Sequence, residues 1–86
     1  MTTDEIREVV ETNRAFGNKA YISTVVHDIR SYTNQSEAEI KALLLSMHRA
    51  GQVTLSRADL VSVHDSEVLK ASRVVYLNAD FHFVAC

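Results

Sequence analysis

The 86-residue sequence has no proline, no tryptophan, two glycines and one cysteine. With so few chain breakers, Gly17 and Gly51 read as punctuation between elements. The single cysteine, Cys86, excludes an internal disulfide and a cysteine-rich zinc site, and fits a reducing cytosol. A disulfide through it would have to join two molecules. No stretch approaches the ~18 apolar residues of a membrane span. The acidic opening MTTDEIREVVE lacks the apolar run of a secretory signal. No glycine-rich loop is present to cradle a phosphate, and no motif frames a nucleophile. The expectation is a cytoplasmic, non-enzymatic protein with no cofactor and no membrane partner.

What is present is ordinary for a globular chain, with 47% hydrophobic and 23% charged residues. One domain over residues 1–86 is expected, because two independent cores would not fit. A domain of this size buries only about 60–65% of its unfolded surface, so a second copy is a natural source of extra stability. The net charge of −2 lacks the basic excess common in nucleic-acid-binding domains. The acidic excess sits in residues 1–39, with four Lys or Arg against seven Asp or Glu; residues 40–86 carry five against four.

Thr2-x-x-Glu5 has the form of a capping box, and Ile6, Val9, Val10 and Phe16 follow at roughly helical spacing. This predicts a first helix over 3–16, stopped by Gly17. Lys19–Ile22 reads as one rung of a strand. Ser23 is the expected cap of a second helix over 23–31, with Val25, Val26 and Ile29 as its apolar stripe. A polar connector, residues 31–35, leads to a second capping box, Ser36-x-x-Glu39. Ile40, Leu43, Leu44 and Met47 then mark the core face of a third helix over 36–50, which Gly51 ends.

After Gly51 the period changes from 3.6 to 2. Val53 and Leu55 predict a strand. The alternation of Val75, Leu77, Ala79, Phe81 and Phe83 against Tyr76, Asn78, Asp80 and His82 predicts one long half-buried strand. Residues 60–72 between them read as an elaborated loop, with one helical turn capped by Asp65 or Ser66. FHFVAC has the make-up of an exposed edge strand, which either helix 1 or a partner must cover, so homodimerisation through helix 1, the last strand or both is expected.

Four histidines, at 27, 48, 64 and 82, lack the spacing of a metal site, so no metal is expected. His64 and Asp65 are adjacent and form no triad. His82, on the expected wet face beside Asp80, suggests a cross-strand or interface role. Tyr32, in the connector before helix 3, either covers that turn or reaches a phosphate with its hydroxyl.

The order is helix, short strand, helix, turn, helix, strand, long loop, strand. Together with ISTVVHDIR–SYTNQ–SEAEIKALLLSMHRAG and the junction HRAGQVTL, it resembles the winged helix-turn-helix superfamily over nearly the whole chain. The resemblance implies an α+β fold of three helices closed by a C-terminal antiparallel β-hairpin, the wing. It further implies a small DNA-binding protein, a transcriptional regulator or accessory factor, that holds duplex DNA as a homodimer. Helix 3 would then be the recognition helix and loop 56–73 the wing. Its exposed face would carry Gln35, Glu37, Ala38, Lys41, Ala42, Leu45, His48 and Arg49. Gln35 and Lys41 would reach base edges, Arg49 a phosphate, and Arg57, Lys70 and Arg73 would grip the backbone beside the wing. Against this, Glu37 and Glu39 in the first turn repel phosphates. Winged helices also serve as protein–protein modules in larger assemblies, and the glutamates with exposed Leu45 suit that alternative.

Overall fold

The computed structural model describes residues 1–58 and 64–86, including the backbone but not the side chain of Phe16. Residues 60–63, the first part of the expected loop, lie outside the described residues. The fold is α+β. It comprises α1 (Thr3–Thr12), β1 (Arg14–Phe16), β2 (Lys19–Tyr21), α2 (Ile22–Arg30), α3 (Glu37–Arg49), β3 (Thr54–Ser56), α4 (Ser66–Ser72), β4 (Val74–Tyr76), β5 (Ala79–Phe81) and β6 (Phe83–Ala85).

Both capping boxes form as expected. Thr2 and Glu5 exchange hydrogen bonds between backbone N–H and side-chain oxygen, and Ser36 and Glu39 do the same. Helix α1 is shorter than its periodicity suggested. It ends at Thr12, where Asn13 bonds back to Val9 and Val10, and Arg14 already belongs to a strand. Gly17 is therefore not a helix stop. Its φ of +57° serves the tight turn between β1 and β2, where a left-handed residue is needed. Gly51 does end α3. Its φ is +77°, its N–H bonds to His48 O, and the N–H of Gln52 reaches back to Met47 O, which makes a complete Schellman cap.

Helix α2 begins one residue earlier than expected, and Ser23 is not its cap. The cap position is Tyr21, which supplies no side-chain bond. The N–H of Ser23 instead donates to Oγ of Ser72, 49 residues away and fully buried on α4, while the N–H of Ile22 donates to His82 O. Helix α4 is a fourth helix where three were expected. Asp65 caps it by accepting from the N–H groups of Glu67 and Val68, and Leu69 and Ser72 turn inward.

The C-terminal stretch departs most from expectation. It is not one strand. Leu77 and Asn78 both adopt positive φ, 51° and 64°, as in a type I′ turn, and fold β4 back on β5 as a separate two-stranded sheet. The turn reverses the parity of the alternation. Val74, Tyr76, Ala79 and Phe81 share one face in register, while Val75 pairs with Asp80 on the other. Val75 and Leu77, expected in the core, are 55% and 80% exposed. Nor is the last strand an edge. β6 sits inside the order β1-β2-β6-β3, antiparallel to β2 on one side and β3 on the other. Its Val84, opposite Ala20 and Leu55, faces a core shared with Ile6, Val10, Val25, Ile29, Ile40, Leu44 and Met47.

Candidate functional surface: α3 and the β4–β5 hairpin

The first turn of α3 is occupied by its own chemistry. The Glu39 carboxylate accepts the Ser36 N–H at 3.1 Å, and that backbone bond holds its pKa below the ordinary 4.5. Glu37 pairs with Lys41 at 2.9 Å, one turn on, and the ammonium lowers the Glu37 pKa in the same way. The Lys41 side chain keeps only 18% exposure in this pair. Gln35 precedes the helix, half-buried, with its N–H on Thr33 Oγ1 at 3.4 Å. The face α3 leaves open consists of Glu37, Ala38, Glu39, Ala42, Ser46, Arg49 and Ala50. Two of those are acids and one is a base. Leu43, expected on the core face, and Leu45, expected outside, are both partly buried against the core.

The far end of α3 carries the β4–β5 hairpin. His48 Nδ1 accepts the N–H of Leu55 at 3.1 Å, so its proton is on Nε2 whenever the ring is neutral. The same ring lies 6.5 Å from Tyr76, edge-on, and 5.6 Å from Phe81. The Arg49 guanidinium stands 6.0 Å above the Tyr76 ring, in cation–π range. Arg73 meets Asp80 across the hairpin at 3.2 Å. The hairpin is thus clamped to α3 by aromatic and cationic contacts, while Val75 on its outer face and Leu77 at its tip are exposed.

Of the six residues expected to touch DNA, Arg49 and Arg73 come together through the hairpin, by way of Tyr76 and Asp80. Gln35 and Lys41 lie at the opposite end of α3. Lys70 is exposed on α4. Arg57 is exposed after β3 and close enough to His82 to act on its charge, as does Arg73. The sequence did not single out Tyr76 or the exposure of Leu77. A signal was available: asparagine is rare inside strands and common at turns, so Leu77-Asn78 in mid-strand marks a break.

The remaining histidines are scattered. His64 Nδ1 lies 2.7 Å from the Tyr21 hydroxyl, with its ring against Phe83. His82 is half-buried rather than on a wet face. Its Nδ1 is buried without a hydrogen-bond partner among the described residues, and burial pushes its pKa below the ordinary 6.5. His27 lies with Arg30 along a shallow groove beside α4. Among the described residues no three His, Cys, Asp or Glu side chains group as metal ligands, and no helix is long and apolar enough to cross a membrane. Tyr32 is 72% exposed and lines a groove of ≈ 470 Å³ between α1 and the end of α2, together with Glu5, Glu8 and Asp28. Comparison with protein-family models, curated proteins and solved structures gave no match.

Proposed function

We propose that this chain is a non-catalytic, winged-helix-like protein–protein interaction module. The sheet order supports the winged-helix likeness, since the short strand β2 after α1 pairs with the β3/β6 pair that closes the chain behind α3. One observation carries the interaction reading. The open face of α3 has no cationic excess: Glu37 is balanced by Lys41, Glu39 stands in the leading turn and Arg49 at the far end, which the β4–β5 hairpin covers. A helix so arranged meets a phosphate-lined groove with repulsion at its leading turn. Lys41 is tied to Glu37 and Arg73 to Asp80, which removes two further cations from the expected DNA footprint. The hairpin tip, by contrast, offers apolar surface to water, and exposed apolar surface marks interaction sites.

A second reading, a DNA-binding regulator, is favoured by Arg30, Arg57 and Lys70. They are exposed and form no ion pair among the described residues. A salt-titrated mobility shift decides between the two. The interaction reading expects no shift at about 50 mM salt and micromolar protein, conditions in which even non-specific DNA binders associate. A shift whose salt slope drops by about one for each of Arg57→Ala and Lys70→Ala would establish the DNA reading in its place.

A further inference from the structure

The four large apolar side chains exposed among the described residues are Met1, Tyr32, Val75 and Leu77, and they fall in two places. Val75 and Leu77 project from the β4–β5 hairpin. Met1 and Tyr32 border the groove between α1 and α2. Leu77 is costly twice over, because it exposes 80% of its surface and holds a left-handed φ of 51° that a bulky side chain rarely adopts. Asparagine or glycine would serve the turn better. A strained, exposed leucine at a turn tip is the kind of outlier from which a binding role is inferred.

The two places are complementary in charge. Glu5, Glu8 and Asp28 line the groove, against the one amino terminus near Glu5. The hairpin is flanked by Arg49, which has no carboxylate partner among the described residues, while Arg73 is balanced by Asp80. The groove, at ≈ 470 Å³, falls within the roughly 300–1,000 Å³ of ordinary binding clefts, room enough for a leucine at a turn tip. The hairpin packs on α3, whereas α1 packs on α2, β2 and β6. The hairpin and the groove therefore belong to different parts of the molecule.

We propose that the β4–β5 hairpin of one molecule docks, Leu77 first, into the acidic α1–α2 groove of a second copy. The contact is heterologous: hairpin and groove are different surfaces, so each bound copy still offers one of each and the assembly extends head to tail. This rests on the interaction-module reading and names its partner. The contact area of a two-residue tip is small, so association is weak, with Kd on the order of 100 µM.

Sedimentation velocity without DNA, up to about 300 µM protein, brackets that Kd and tests the assembly. The wild-type protein is expected to sediment faster with concentration, passing beyond the dimer. Leu77→Asn, which relieves the turn and keeps the groove, is expected to stay monomeric with an unchanged or raised urea midpoint. Glu8→Lys, which reverses a groove charge and keeps the hairpin, is expected to be monomeric as well. Mixed together, the two variants retain one intact groove and one intact hairpin, so they should form a 1:1 complex and nothing larger. A wild-type monomer throughout the range, self-assembly of Leu77→Asn, or a mixture that stays monomeric would each overturn the proposal. A wild-type monomer that also fails to shift DNA would leave the interaction module standing with a different partner. A DNA shift would sink the module reading whatever the sedimentation result.

Discussion

Replacing Ser72 by alanine removes a hydroxyl that has no exposure and one evident task, accepting the N–H of Ser23 in the first turn of α2. Tyr21 supplies no side-chain bond at that end, so the freed N–H loses its partner in a part-buried setting. The expected loss is about 0.5–2 kcal/mol, the range of N-cap deletions. It should appear in urea unfolding as a lower midpoint at unchanged m-value. A loss below about 0.3 kcal/mol, a fraction of the usual cap effect, would mean that water serves the helix end as well.

His82 gives a second residue-level outcome. Burial depresses its pKa, so the unfolded chain binds a proton there more readily than the folded one. Its contribution to stability is complete above pH 6.5 and declines as the pH falls below that value. Glu5, Glu37 and Glu39, also lowered, lose theirs only below 4.5. Stability followed from pH 7.5 downward should decline in two limbs, and His82→Gln should erase the first and leave the second. Persistence of the first limb in that variant would assign it to another group.

At the scale of elements, the decisive feature is the parity reversal in the β4–β5 hairpin. Val74 is 6% exposed and Val75 55%, the opposite of what an unbroken strand demands. Val74→Ala should therefore cost about 2 kcal/mol, from two buried methyl groups and the cavity left behind. Val75→Ala should stay within about 0.5 kcal/mol, as surface changes do. A larger cost for Val75→Ala than for Val74→Ala in thermal or urea unfolding would restore the single strand. The same hairpin explains how far the fold could be read from the chain. Helix α3 was legible because its start, stripe and stop are all local: Ser36 and Glu39, then Ile40, Leu44 and Met47, then Gly51. The cap of α4 was legible to within a residue, as Asp65 or Ser66, and the structure uses Asp65. The end of α1 is not legible because Phe16 continues the helical spacing while Gly17 suits a hairpin turn as well as a helix stop. The break between the C-terminal strands is hard to read because alternation looks the same on both arms of a hairpin, and only Asn78 marks the fold. Of the candidate site, the lone cations were visible in the sequence. Their partners, Asp80 for Arg73 and Tyr76 for Arg49, depend on that unforeseen turn.

For the whole molecule, charge and apolar exposure argue in the same direction. The acidic lead of α3 opposes a DNA groove, and the apolar tip of the hairpin suits a protein one. Gel shift and sedimentation together separate a DNA binder, a self-assembling module and a module with some other partner. The inner place of β6 in the sheet bears on how the molecule comes into being. Its partners are Lys19–Tyr21 and Thr54–Ser56, and the first turn of α2 waits on Ser72. Helix α3, complete at both ends from its own neighbours, needs none of this. Loop closure over such separations costs entropy before any contact repays it. Helix α3 is accordingly the element to expect in the folding nucleus, and the sheet is the last thing to close. A kinetic trace would then read mutations in α3 in the folding rate, and mutations in β6 in the rate of coming apart.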